Sequence, residues 1–123
     1  MRVLVVDDHE KVRNLAARLL ACLGHEVFEA SDAREAEAAL SQDDHEFDVV
    51  LLDICLDGAD GAALAHRMQA ARAGLHVLFM SGHSADALAT RELQGPRRHF
   101  LEKPFSLSAL RSALDTLVTS DSQ

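Results

Sequence analysis

The chain has 123 residues, is 48% hydrophobic, and carries 20 acidic against 12 basic residues, for a net charge of −8 and a pI of about 5.2. That length suits a single domain with a real core, and the acidity argues against free nucleic acid or an anionic membrane as a direct partner. No stretch approaches the roughly 18 apolar residues of a membrane span, so the expected setting is the cytoplasm.

The first element is the apolar run Val3–Val6, which ends in Asp7 and Asp8. It is too short, and too soon cut off by acids, for a secretory leader. Two carboxylates about 4 Å apart repel by roughly 4 kcal/mol at an effective dielectric near 20. A buried strand ending in such a pair therefore calls for something cationic. Next, Val12, Leu15, Ala16, Leu19, Cys22 and Leu23 recur at helical spacing, which predicts an amphipathic helix with Cys22 in the core and Gly24 as the stop signal. Glu26–Ala30 reads as a second strand, and Ala33, Ala36 and Leu40 as the weaker stripe of a second helix.

The third run, Val49–Leu52, leads into Asp53. Leu64, Ala65, Met68 and Ala71 mark a third helix, closed by Gly74. Val77–Met80 forms a fourth strand ending at Ser81, and a short fourth helix is predicted from roughly Ser84 to Leu93. His99–Leu101 is the fifth strand and runs on to Lys103 and Pro104. A final helix, capped by Ser106, carries Leu107, Leu110, Leu114, Leu117 and Val118 on one face, and the tail beyond is expected to fray. Cys22 and Cys55, with no CxxC between them, read as free thiols. The seven histidines are never three or four residues apart, so a helical two-histidine zinc site is unsupported.

Strands alternating with helices imply parallel strands, right-handed crossovers and helices on both faces of one sheet. Ligands gather at the carboxyl ends of such strands. At that rim stand Asp7 and Asp8, Asp53, Ser81 and Lys103. Each type has a task in phosphoryl transfer to a carboxylate. Asp53 can accept the phosphoryl group, and Asp7 and Asp8 can hold Mg²⁺, which favours carboxylates, waters and phosphate oxygens. Lys103 and Ser81 can each meet a phosphate oxygen.

With those residues placed, the sequence resembles the receiver domain of two-component response regulators, over about Arg2 to Val118. VLVVDD matches the family's acidic pair, VVLLDICLDGADG its phosphoacceptor segment with Gly61 at the usual spacing, FMSG its hydroxyl position, and FLEKPF its Lys-Pro segment. The resemblance implies a single receiver domain over residues 1–123, with a core of about 2–118. It also implies a doubly wound (βα)5 flavodoxin-like fold with strand order 2-1-3-4-5.

It further implies Asp53 as phosphoacceptor, the backbone carbonyl of Cys55 as a further Mg²⁺ ligand, and a cis bond before Pro104. Ser81 and Phe100 become switch residues, with a response spread over helix four, strand five and helix five. The implied partners are a histidine kinase or histidine phosphotransfer protein, and a downstream protein or an output domain elsewhere. The chain would be a monomer or a phosphorylation-dependent dimer that catalyses only its own phosphorylation and dephosphorylation. MSGHS and EKPFSLSAL are closest to receivers attached to hybrid histidine kinases. The first helix is expected to help dock the kinase, with His9, Glu10 and Arg13 on its solvent side.

Some positions depart from the pattern. Asp57 stands where the family commonly has proline, and Cys55 and His83 occupy positions that tune phosphate lifetime. Three rivals bear weighing. A Mg²⁺-dependent aspartyl-phosphate phosphatase would want a second acid at Cys55. A flavin-binding module would want a phosphate cradle where DDHE stands. A receiver-fold docking module without phosphorylation stays open.

Overall fold

The computed structural model describes residues 1–42, 46–54, 61–81 and 97–121. Five strands, β1 (Arg2–Val6), β2 (Glu26–Ala30), β3 (Val49–Asp53), β4 (His76–Ser81) and β5 (Arg98–Glu102), form one sheet in the order β2-β1-β3-β4-β5. All four pairings are parallel. The helices are α1 (Glu10–Cys22), α2 (Ala33–Leu40), α3 (Gly61–Ala71) and a C-terminal helix (Leu107–Asp121). The fourth helix expected from Ser84 to Leu93 lies outside the described residues, as do Cys55, Asp57 and His83. Among the described residues, no helix is long and apolar enough to cross a membrane.

The central strands are apolar at nearly every position because both faces of the sheet are covered. Side chains alternate across a strand, so β1, β3 and β4 split into two sets. Leu4, Val6, Val50, Leu52, Val77 and Phe79 pack with α2 and α3. Val3, Val5, Val49, Leu51, Leu78 and Met80 pack with α1 and the C-terminal helix. All twelve are fully buried, and each stabilises the fold by roughly 1.5–3 kcal/mol relative to exposure.

Helix ends follow local chemistry. Gly24 and Gly74 adopt φ of +89° and +88°, a left-handed turn after α1 and α3 that a side chain would strain. Asp32 caps α2 by accepting the Glu35 N–H at 2.8 Å, while Glu35 Oε1 reaches back to the Ser31 N–H and hydroxyl at 2.6 and 2.5 Å. The Ser106 hydroxyl accepts the Ala109 N–H at 3.1 Å, as its position before the last helix suggested.

Four expectations from the periodicity need correcting. The buried face of α1 centres on Ala16 and Leu20, and both Leu15 and Cys22 are exposed, the latter as a free thiol. Cys22 lies six residues past Ala16, and six steps of about 100° carry it around the helix, away from the sheet. Ala71 is exposed, and the buried stripe of α3 ends at Met68. Leu107 and Val118 are also exposed, leaving Leu110, Ala113, Leu114 and Leu117 as the buried stripe of the C-terminal helix. That helix continues to Asp121 rather than stopping at Val118.

The Ser31 donors hold the Glu35 carboxyl below its ordinary value of 4.5, chiefly through the hydroxyl and then the amide. A depressed carboxyl contributes stability above that ordinary value and loses it as pH falls through the lowered one. Between about pH 6 and pH 3, the urea midpoint of Glu35→Gln should therefore fall less than that of the wild type. Equal slopes would show that ionisation of Glu35 contributes no net stability.

Candidate functional site

The sheet order reverses at β1, whose neighbours are β2 on one side and β3 on the other. This is the switch point at which the carboxyl ends of parallel strands leave a crevice. Val6 pairs with Leu52, so the next residues, Asp7 and Asp53, emerge side by side. Further along the rim, Asp53 pairs with Met80 and Ser81 with Glu102, which brings Ser81 and Lys103 to the same edge. The parallel register thus assembles residues that are nearly a hundred positions apart in the chain.

Asp7 is fully buried and Asp53 is 3% exposed, the two buried acids among the described residues. Lys103 Nζ lies between them, 3.0 Å from Asp7 Oδ2 and 3.3 Å from Asp53 Oδ2. The ammonium offsets these two buried carboxylates. Its placement is fixed from the backbone as well. The Lys103 N–H donates to the Ser81 carbonyl at 2.7 Å, and the Lys103–Pro104 peptide is cis.

Asp7 is held from three further directions. Its N–H donates to the Ala30 carbonyl at 3.2 Å, and its Oδ1 accepts the His9 N–H at 2.8 Å. Its own carbonyl accepts Arg13 Nη1 at 2.9 Å. Arg13 also pairs with Glu29 through Nε at 3.3 Å, and its side chain is only 17% exposed. The expectation of Arg13 on the solvent side is thereby corrected. Its helix turn faces the acid-bearing strand end, and the carbonyl and Glu29 draw the guanidinium inward. A cation five residues after Asp8 was the signal available for this contact. His9 and Glu10 are exposed as expected.

Asp8 is partly exposed, and His9 Nδ1 lies 3.2 Å from its Oδ1. One ligand atom from each of Asp7, Asp8, His9 and Asp53 falls within 4.8 Å of the others, a spacing that a single divalent cation could span. The donor set of three carboxylates beside open solvent suits a hard cation that keeps waters. Sequence reading had missed His9 as a member of this group. Where β3 ends, α3 starts tightly: a Cβ on Gly61 would lie 3.3 Å from the Ile54 Cα and carbonyl oxygen. At the far side of the rim, the half-buried Phe100 ring stacks on Phe79, with centroids 5.3 Å apart and planes 25° apart.

Comparison with known proteins shows the family and the fold. A family profile described as "Response regulator receiver domain" matches residues 3–115. The transcriptional regulatory protein TcrA of Mycobacterium tuberculosis is 36% identical over 95% of this chain, which corresponds to 46% of TcrA. The sensor kinase CckA of Brucella abortus is 30% identical over 94% of this chain and 12% of its own length. The crystal structure of the receiver domain of NtrX from Brucella abortus superposes with a TM-score of 0.84 at 34% identity, covering 96% of this chain and 98% of that one. The chain therefore spans about half, or much less, of the curated relatives it matches.

Removing one partner of a buried ion pair strands the other charge, at a cost of about 3–5 kcal/mol. In divalent-free buffer, Lys103→Met should lose stability on that order in urea unfolding. Adding Asp53→Asn should return much of it, because one of the stranded carboxylates becomes neutral. A double variant no more stable than Lys103→Met would show that Asp53 is not coupled to Lys103.

Proposed function

This chain belongs to the response regulator receiver domain family, and we propose that it acts as a phosphoacceptor switch whose phosphorylated residue is Asp53. The carrying observation is the buried Asp53 carboxylate held 3.3 Å from Lys103 Nζ beside Asp7. An Asp53 oxygen attacks the phosphorus of a phospho-histidine. The new O–P bond forms as the N–P bond breaks, and the departing imidazole nitrogen keeps the electron pair. Charge spreads over the three equatorial oxygens in flight, so positioning and neutralisation carry the catalysis. The proposed receiver unit is residues 1–123, with a core of about 2–118.

Mg²⁺ is the cation this donor set fits, with Asp7, Asp8 and Asp53 as its holders, and it supplies charge neutralisation at the phosphoryl oxygens. Lys103 exchanges carboxylate contacts for a phosphoryl oxygen, and the Ser81 hydroxyl donates to another. Movement of Ser81 draws on the Phe100 ring, so the response reaches β5 and the C-terminal helix. Added charge near −2 on Asp53 biases that two-state surface. The chain catalyses only its own phosphorylation and dephosphorylation.

A histidine kinase or phosphotransfer protein is the proposed donor. The apolar groove lined by Val12, Leu15, Lys103, Pro104 and Phe105 opens beside the acidic rim and offers it a surface. Leu15 is 56% exposed there. Output passes to a downstream protein or to a further domain, in the cytoplasm, without direct contact with nucleic acid or membrane. The chain acts as a monomer or as a dimer formed on phosphorylation.

Intact mass after incubation with acetyl phosphate and Mg²⁺ tests this reading. Wild type should gain one phosphoryl mass only with the cation present, and Asp53→Asn should gain none. A gain that survives Asp53→Asn would move the acceptor elsewhere. No gain, together with no binding of beryllofluoride, would reduce the site to a docking surface.

A further inference from the structure

The His9 imidazole has no task in the reaction proposed above. His9 is the N-cap of α1, with φ −89° and ψ 109°, yet its side chain makes no capping hydrogen bond. An N-cap side chain ordinarily accepts a backbone N–H of the first turn. Here the backbone N–H of His9 is bound to Asp7 Oδ1 at 2.8 Å, which turns the residue back over the rim. Its Nδ1 then stands 3.2 Å from Asp8 Oδ1 and 3.4 Å from Asp7 Oδ1. The ring is 71% exposed, so a solvated ion can reach it.

We infer that His9 Nδ1 is an additional ligand of the divalent-cation site, one that raises its affinity for Mn²⁺ and later first-row ions more than its affinity for Mg²⁺. This rests on the reading that Asp7, Asp8 and Asp53 hold a cation. Three carboxylates attract any dication, and oxygen donors with waters satisfy Mg²⁺ without help. An imidazole nitrogen adds little for Mg²⁺ and progressively more for first-row transition ions. The four ligand atoms already fall within 4.8 Å of one another, so a single ion can meet the nitrogen and the oxygens together.

The test uses the whole chain with Mn²⁺ alone as the probe. Mn²⁺ affinity is read by electron paramagnetic resonance, and Mg²⁺ affinity by competition. Histidine coupling to bound Mn²⁺ is read by electron spin-echo modulation, in protein with ordinary and with ¹⁵N-labelled histidine. In the wild type a histidine-nitrogen coupling should appear and shift on labelling. In His9→Ala it should vanish, with Mn²⁺ binding weaker by about tenfold and Mg²⁺ binding changed less than about twofold. If Mn²⁺ binds and Asp8→Asn weakens it, but the coupling is absent or survives His9→Ala, the inference falls and the cation reading stands. If Asp8→Asn leaves Mn²⁺ binding unchanged, the cation reading falls, and the inference with it.

Discussion

The contact of Lys103 Nζ with both Asp7 and Asp53 is the interaction on which the rest of this rim depends. Burying two carboxylates at adjacent strand ends is unfavourable unless a cation shares the space. Lys103 provides it from the end of the edge strand, so the neutralising charge comes from a segment 50 and 96 residues away from the two charges it neutralises. Closing the sheet and balancing the site are therefore one event. The site exists only when β1, β3 and β5 are all in register, since Asp7, Asp53 and Lys103 stand at the ends of three different strands.

That dependence also explains how one site could influence a distant surface. Lys103 is tied to the Ser81 carbonyl through its own N–H. Phe100, three residues earlier, leans on Phe79 of β4, whose side chain lies in the core shared with α2 and α3. A charge added at Asp53 would act on Lys103 and Ser81 directly and on β5 through the backbone that carries them. Interior packing favours discrete arrangements over continuous deformation, which is the physical basis for expecting a two-state response.

The face beside the rim is unlike the rest of α1. Leu15 is turned out of the core, next to Val12, Pro104 and Phe105, while Arg13 on the same helix is drawn in by Asp7 and Glu29. An apolar groove thus borders the acidic rim. In relatives such as TcrA, a matching segment is less than half of the protein.

Among the described residues, the order of the elements, the placement of the strands and the position of Asp7, Asp53 and Ser81 at their carboxyl ends were legible in the sequence, because they follow from local patterns. Apolar runs of four or five residues ending in Asp7, Asp53 or Ser81 are strands whose carboxyl ends must share one edge in a parallel sheet. The resemblance carried by VLVVDD and FLEKPF added the strand order, which the comparisons and the register bear out. Other features were decided only in three dimensions. A list of apolar positions on α1 leaves its rotation against the sheet undetermined by tens of degrees. Packing of Ala16 and Leu20 against the sheet set that angle, and so exposed Cys22 and Leu15. The inward turn of Arg13 toward Glu29 and the grouping of His9 with Asp53 likewise follow from where strand ends meet, since Glu29 and Asp53 come near only after folding. Periodicity along one segment specifies which side chains can be buried, and long-range electrostatics and packing decide which of them are.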